Sequence, residues 1–257
     1  MLLMILNVTE AGAGEPLVLL HGLFGAARNL GVLTRSFSPL YRVIALDLRN
    51  HGGSPHDQRM DYAIMAEDVA ETLAHLGLSR VRLCGHSMGG KTAMTLALTR
   101  PEMISHLAVM DIAPVNYPHH YSDFTKAMLG IPLSAQLTRA EAEQALAKTV
   151  KEAPMRAFLL NNLVLGPQPH WRVGLHEIDA NMANLFRWDD PPGAVPYTGP
   201  TLFLCGAASS YVTAASEPAI RQRFPQAHIE YVADAAHWLH ADKPEQVFAA
   251  LREFMAS

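Results

Sequence analysis

The sequence contains little cysteine and little charge of either sign. Its 257 residues include 2 cysteines, Cys84 and Cys205, and charged residues make up 17% of the chain. Each cysteine ends an apolar run, which is typical of a buried, reduced thiol and excludes a disulfide framework or a metal site built on cysteine. The formal net charge of −4 indicates neither nucleic acid nor another polyanion as a partner.

The sequence also lacks an apolar run long enough to cross a membrane. Residues 1–6 are apolar but short and carry no basic region of the kind that begins a signal peptide, so we predict a first strand there and a cytoplasmic location. The 13 histidines are scattered without the H-E-x-x-H spacing of a metal site. The adjacent pair His119 and His120 is expected on an exposed loop. We expect no bound metal and no membrane partner.

Hydrophobic residues make up 49% of the chain, enough for a substantial core. Short apolar runs recur, and each ends in turn-forming or reactive residues; the runs are Leu17–Leu20, Arg42–Leu46, Val81–Cys84, Leu107–Met110, Thr201–Cys205 and Ile229–Val232. Runs of this kind suit strands that are covered on both faces, and helical patterns lie between them. The alternation predicts an α/β fold with a doubly wound, mostly parallel sheet.

Residues 114–192 interrupt this alternation. No convincing strand occurs there, and four helical segments are predicted instead, at Tyr121–Leu129, Thr138–Lys151, Met155–Leu163 and Trp171–Phe186. We predict a core of residues 1–113 and 193–257, with residues 114–192 as an all-helical cap inserted after strand 6. In this count of strands, Leu17–Leu20 is strand 3. Because ligands bind at the carboxyl ends of the strands in such sheets, the cap would cover a site there.

The residues Gly85–Gly89 fit the pattern G-x-S-x-G, directly after an apolar run and before a predicted helix. This context is typical of a nucleophile elbow, a sharp turn that pushes a serine hydroxyl out of the sheet. The flanking glycines are needed because a Cβ there would collide with the neighbouring strand or helix. The alternative, a serine that only caps the helix, leaves those glycines unexplained. Ser87 is the candidate nucleophile.

A serine nucleophile needs a general base and a carboxylate that orients it, in the chain order serine, acid, histidine. His237 follows the last predicted strand and is the candidate base, with His240 as the second choice. The usual acid position, residues 206–211, contains no carboxylate, so we favour Asp111, which ends a predicted strand. The alternative is that Asp111 caps the following loop. Ser209 stands where the acid usually lies and is expected to donate a hydrogen bond to Asp111 or to bridge toward His237.

Two backbone N–H groups should stabilise the oxyanion that develops during acyl transfer. Met88, which follows the nucleophile, supplies one, and Leu23 supplies the other, with Phe24 as the runner-up. The side chain of His21 and the loop 47–54 are interpreted as structural. Apolar side chains are candidates for the substrate pocket, although most of those in the cap could instead form its own core; the candidates are Phe24, Phe124, Met128, Phe158, Leu159, Phe186 and Trp238.

The chain resembles, from end to end, the α/β-hydrolase-fold serine esterases, and in particular the YbfF-type bacterial esterases. The resemblance is carried by five stretches, His21–Gly25, Asp47–Gly52, Gly85–Lys91, Met110–Pro114 and Ala236–Trp238. It implies an acid after strand 6, which favours Asp111. It also implies hydrolysis of short- to medium-chain acyl esters, with acyl thioesters as a further substrate class.

These residues predict a serine carboxylesterase that forms an acyl-enzyme, requires no cofactor and acts on a small-molecule acyl ester as a monomer or homodimer. Leu23, Phe24 and the bulky cap residues should restrict the pocket to short chains. A perhydrolase or a C–C bond hydrolase with the same triad remains open, as does a non-catalytic binding protein on this fold. Dehalogenases and epoxide hydrolases use an aspartate nucleophile, and Ser87 argues against them.

Overall fold

A computed structural model describes residues 4–118 and 121–257, so the pair His119 and His120 lies outside the described residues. The described residues form nine strands: β1 (Asn7–Ala11), β2 (Pro16–Leu20), β3 (Arg42–Asp47), β4 (Val81–His86), β5 (Ile104–Met110), β6 (Leu163–Val164), β7 (His170–Trp171), β8 (Thr201–Gly206) and β9 (Ala227–Val232). Seven of them form one sheet in the order β1-β3-β2-β4-β5-β8-β9. Only β1 runs antiparallel to its neighbour, so the predicted mostly parallel sheet is confirmed.

Helices cover both faces of this sheet. The α-helices are α1 (Gly31–Phe37), α2 (Tyr62–His75), α3 (Met88–Thr99), α4 (Ser122–Leu129), α5 (Arg139–Ala147), α6 (Ala153–Leu160), α7 (Leu175–Phe186), α8 (Glu217–Arg223), α9 (Leu239–Asp242) and α10 (Pro244–Met255). Alternate residues of β2 belong to two separate cores: Val18 packs with α2 and α3, whereas Leu17 packs with α1 and α10. Because both faces of the sheet are covered at its centre, β2 is apolar along its whole length. Cys84 and Cys205 are free and buried, as predicted.

The first strand begins later than the sequence pattern indicates. Residues 4–6 lie outside any strand, and residues 1–3 lie outside the described part of the chain. Leu6 is buried, but its N–H donates to Thr72 Oγ1 of α2 at 3.0 Å instead of joining the sheet. The strand is formed by the more polar residues Asn7–Ala11, which pair with β3 at the sheet edge. Residues 4–6 therefore contact α2, and the predicted strand is absent from this described part of the apolar start.

The segment between β5 and β8 contains α4 to α7 and a short hairpin, β6–β7. The prediction that this segment is all-helical was therefore wrong. Gly166, with φ of 119°, forms the turn of the hairpin together with two prolines, Pro167 and Pro169, which do not continue a helix. Among the described residues, the segment follows the fifth strand, β5, and not a sixth. The predicted count placed two strands before Leu17–Leu20, whereas the structure has one, β1.

No helix within residues 4–118 and 121–257 combines the length and the apolar character needed to cross a bilayer. The same residues contain no group of three or more His, Cys, Asp or Glu side chains arranged to hold a metal ion.

Candidate active site

The turn between β4 and α3 carries Ser87 in a strained conformation, with φ of 52°. Its backbone N–H donates to the carbonyl of Met110 at 3.0 Å. A Cβ on Gly89 would lie 2.5 Å from the carbonyl oxygen of Leu20, and one on Gly85 would lie 2.3 Å from that of Gly89. Glycine is thus required at both flanking positions, because the backbone of the turn packs directly against β2 and against itself.

Ser87, His237 and Asp111 lie in hydrogen-bond contact at the carboxyl edge of the sheet. His237 Nε2 lies 3.0 Å from Ser87 Oγ, and His237 Nδ1 lies 2.7 Å from Asp111 Oδ2. Since the carboxylate accepts the proton on Nδ1, Nε2 is left as the acceptor for the serine hydroxyl. The structure thus brings together three residues that are up to 150 positions apart in the chain.

Asp111 is fully buried and held by several donors. It has φ of 50°, and its backbone N–H donates to the carbonyl of Leu204 at 3.0 Å. Oδ1 accepts the N–H of Gly206 at 2.9 Å, and Oδ2 accepts the hydroxyl of Ser209 at 2.5 Å in addition to the imidazole of His237. Hydrogen bonds of this kind are what a buried carboxylate needs to offset the loss of water. Of the two roles considered for Ser209, the geometry shows the hydrogen bond to Asp111.

The loop that carries His237 is fixed by hydrogen bonds to its backbone. The side chain of His86 donates through Nε2 to the carbonyl of His237 at 2.8 Å, and Asp242 accepts the N–H of Ala236 at 2.9 Å. His240, the second choice for the base, is buried beside His86 with ring centroids 4.7 Å apart. Burial lowers the pKa of His240 to about 4, and the hydroxyl of Ser87 donates to His237 rather than to His240.

Two backbone N–H groups border the nucleophile as candidate oxyanion donors. Met88 is the first residue of α3, so its N–H has no acceptor within the helix. Leu23 lies in the loop after β2, and its N–H donates to none of the described residues. The N–H of Phe24, the runner-up, donates to His51 Nε2 at 3.1 Å and is therefore occupied.

The loop 47–54 forms hydrogen bonds with the loop after β2 that carries Leu23 and Phe24. These contacts agree with the interpretation of loop 47–54 as structural. His51 is fully buried, and burial lowers its pKa to about 3, so its neutral ring accepts the N–H of Phe24 while Nδ1 donates to the carbonyl of Arg49 at 2.8 Å. His21 accepts the N–H of Leu48 through Nε2 at 2.9 Å. No pattern in the sequence indicates that His51 would occupy the N–H of Phe24.

A cavity of about 330 Å³ opens above Ser87 and His237. Of the seven candidate pocket residues, four line it: Phe24, Phe158, Phe186 and Trp238. The other three lie elsewhere. Met128 and Leu159 have no exposed surface and belong to the hydrophobic core, and Phe124 packs edge-on against Tyr121 with ring centroids 5.1 Å apart. These three residues therefore pack in or against the hydrophobic core, which is the alternative to a role in the substrate pocket.

Several polar residues that were not predicted from the sequence also line the cavity, namely Tyr62, Lys91, Tyr117, Tyr121 and Tyr211. The one sequence signal for them is the position of Lys91, which follows Ser87 by four residues at the start of α3 and so lies on the same face of the helix.

The amine of Lys91 is buried among carbonyl groups and aromatic rings. It is 1% exposed, and its Nζ donates to the carbonyl of Arg187, just after α7, at 3.1 Å. Nζ also lies 5.0 Å from the ring centroid of Tyr117 and 5.4 Å from that of Tyr62. Burial lowers the pKa of this ammonium group to about 7.

Known proteins resemble this chain over nearly its whole length. The family model of the alpha/beta hydrolase fold matches residues 15–244. The sn-1-specific diacylglycerol lipase ABHD11 of Xenopus laevis is 41% identical over 253 residues, which cover 95% of this chain and 80% of that protein. Esterase YbfF of Escherichia coli (strain K12) is 35% identical over 242 residues, covering 94% of this chain and 93% of that protein. The solved structure of a marine microorganism esterase has a TM-score of 0.94 at 34% identity, covering 98% of this chain and 99% of that one.

The fold and these relatives define the class of protein as a hydrolase of the esterase and lipase type, which argues against a non-catalytic binding protein. The chain belongs to the alpha/beta hydrolase fold family, and its resemblance to YbfF-type esterases is confirmed.

Proposed function

We propose that this enzyme is a serine carboxylesterase that works through an acyl-enzyme intermediate. The observation that carries the proposal is the line of hydrogen bonds from Ser87 through His237 to Asp111, with distances of 3.0 and 2.7 Å. The proposed acid follows the strand before the inserted segment, in agreement with the resemblance to the YbfF-type esterases.

In the proposed mechanism Ser87 Oγ attacks the ester carbonyl while His237 Nε2 takes its proton. Asp111 holds the imidazole in the tautomer that accepts on Nε2 and stabilises the imidazolium that forms. The N–H groups of Met88 and Leu23 stabilise the oxyanion. His237 then protonates the departing alcohol, and water, activated by the same imidazole, releases the acid. The side chains and backbone N–H groups of one chain supply every group, so the mechanism needs no cofactor and suits a monomer or a homodimer.

We further propose that residues 114–192 act as a cap that shapes the acyl pocket. Phe158 of α6 and Phe186 of α7 line the cavity together with Trp238 of the core, and the rings of Phe158 and Trp238 have centroids 5.2 Å apart. A cavity of about 330 Å³ with aromatic walls suits small-molecule esters with short to medium acyl chains better than long-chain lipids. Acyl thioesters share the same carbonyl chemistry.

Because one relative is named a diacylglycerol lipase, the test covers both substrate types. We would measure kcat/KM for p-nitrophenyl esters from acetate to laurate, for butyryl-coenzyme A and for a diacylglycerol. We expect the maximum at butyrate or hexanoate. Faster turnover of the laurate ester or of the diacylglycerol than of the butyrate ester would contradict the proposed pocket, and the absence of all hydrolysis would contradict the esterase proposal itself.

A further inference from the structure

The ring of Tyr211 lies flat against the imidazole of His237. The two ring centroids are 3.9 Å apart, and the planes are inclined by 17°. Tyr211 belongs to the loop after β8, where the sequence has no carboxylate at the usual acid position. This loop thus supplies an aromatic face to the candidate base.

Hydrogen bonds from both sides hold the backbone of Tyr211 in place. Tyr117 donates its hydroxyl proton to the carbonyl of Tyr211 at 2.7 Å and accepts the N–H of Ala113 at 2.9 Å. The N–H of Tyr211 donates to Ser209 Oγ at 3.2 Å, and its hydroxyl lies 3.0 Å from that of Tyr121. The position of the ring is therefore fixed by contacts with the residues that follow Asp111 and with the start of the inserted segment.

The stacked geometry suits a charged imidazole better than a neutral one. Neutral aromatic pairs favour offset or edge-to-face arrangements with centroids roughly 4.5–7 Å apart. A cation over the face of a tyrosine is attracted by the negative charge of the π system, and this attraction strengthens when water is excluded. The proposed mechanism turns His237 into an imidazolium while Ser87 attacks, so the attraction is greatest in the transition state.

Three structural elements, β5, β4 and α9, place other titratable groups around the imidazole of His237. From β5, Asp111 supplies the carboxylate on Nδ1. From β4, His86 lies with its ring centroid 4.9 Å from that of His237, and burial lowers its pKa well below the ordinary value. From α9, His240 is likewise kept neutral by burial, and Asp242 accepts the backbone N–H of Ala236. In this part of the described structure, the carboxylate of Asp111 therefore carries the charge that contacts the imidazole.

We propose that Tyr211 is a positioning residue that stabilises the imidazolium form of His237 through its ring face during acyl transfer. The inference rests on the proposed esterase function and deepens it. It adds to the triad a group that favours the same charged state as Asp111 but contacts the ring from its face rather than from its edge.

The test compares Tyr211→Leu with Tyr211→Phe in the full chain. Both variants keep an apolar side chain beside the imidazole, but only phenylalanine keeps the aromatic face. We would measure kcat and KM for p-nitrophenyl butyrate from about pH 5 to 9. Because the ring favours the protonated imidazole, its removal moves the acid limb of the pH profile to lower pH. Tyr211→Leu should show this shift with a loss in kcat of about three- to tenfold, whereas Tyr211→Phe keeps the wild-type acid limb.

Identical acid limbs for the two variants, or a loss confined to KM, would overturn the inference. If Tyr211→Leu does not fold, Tyr211→Phe is compared with the same position carrying 3,5-difluorophenylalanine. That ring has nearly the same shape but a weaker negative face, so it should shift the acid limb in the same direction, and the absence of a shift overturns the inference. Ester hydrolysis by the wild type separates the two proposals, since an active wild type with unshifted variants contradicts only the role of Tyr211.

Discussion

At the scale of single residues, the acid of the site, Asp111, lies outside the loop where such an acid usually occurs. Asp111 could be predicted because it ends an apolar strand, where an unpartnered charge would be costly, and because residues 206–211 offer no acid. Its contacts could not be predicted in full, since the N–H of Gly206 and the hydroxyl of Ser209 reach it from 95 and 98 residues away. Asp111 contacts the imidazole directly, whereas the hydroxyl of Ser209 donates to the carboxylate of Asp111 and accepts the N–H of Tyr211.

Replacing Asp111 with Asn should lower kcat by about 10⁴-fold, because an amide does not hold the imidazole in the required tautomer. Ser209→Ala should cost far less, since Oδ2 of Asp111 keeps its contact with His237 and Oδ1 keeps the N–H of Gly206. Steady-state kinetics with p-nitrophenyl butyrate measures both changes. Equal losses in the two variants would contradict the assignment of Asp111 as the orienting acid.

At the scale of elements, the sequence patterns predicted the sheet and its carboxyl edge but not the detailed orientation of the inserted helices. Phe158 and Leu159 are adjacent in α6, yet Phe158 lines the cavity and Leu159 is fully buried in the core. Both are apolar, so the pattern alone does not distinguish them. The contact of Phe158 with Trp238, 80 residues further along the chain, accompanies this rotation of α6. The contact of Lys91 in α3 with the end of α7 depends on tertiary structure in the same way.

The buried amine of Lys91, which connects α3 to the end of α7, should make the free energy of unfolding depend on pH. Burial lowers the pKa of Lys91 from 10.5 to about 7, so between these values the unfolded chain binds a proton that the folded chain does not. Stability therefore rises with pH in this window, by about 1.4 kcal/mol per unit from this group. In urea unfolding, the stability of the wild type relative to Lys91→Met should increase by about 2 kcal/mol or more from about pH 7.5 to 9.5.

The matched control is Lys126→Met, because Lys126 is an exposed lysine of α4. Its stability relative to the wild type should stay constant over the same range. A constant difference for Lys91→Met as well would show that the buried lysine remains protonated in the folded protein.

At the scale of the whole molecule, the protein encloses several histidines around its candidate site. Four of them are buried with lowered pKa values, the first cause in each case being burial: His21, His51, His86 and His240. The sequence shows their number but not their burial, because they lie in two loops, a strand and a helix that meet at the carboxyl edge of the sheet. The stability of the folded protein therefore depends on these four imidazoles remaining neutral.

We expect the free energy of unfolding to fall steeply as the pH drops from about 6.5 to 4.5. In this range the unfolded chain binds protons at these histidines while the folded chain excludes them, so each contributes up to about 1.4 kcal/mol per pH unit. Urea unfolding at several pH values gives the slope. His51→Asn should reduce the slope by one proton, because the pKa of His51 in the folded protein is about 3.

The control for this experiment is His75→Gln at the exposed end of α2, which should leave the slope unchanged. A wild-type slope in His51→Asn would contradict the buried, neutral state that the structure assigns to His51.

The central claim is that Ser87 is an activated nucleophile, and covalent labelling tests it most directly. A fluorophosphonate probe reacts with a serine that has a base in place, and mass spectrometry of the digested protein locates the adduct. We predict one adduct per chain, on Ser87, with labelling retained in Ser209→Ala and lost in Ser87→Ala. No adduct on the wild type, or equal labelling of Ser87→Ala, would contradict the account.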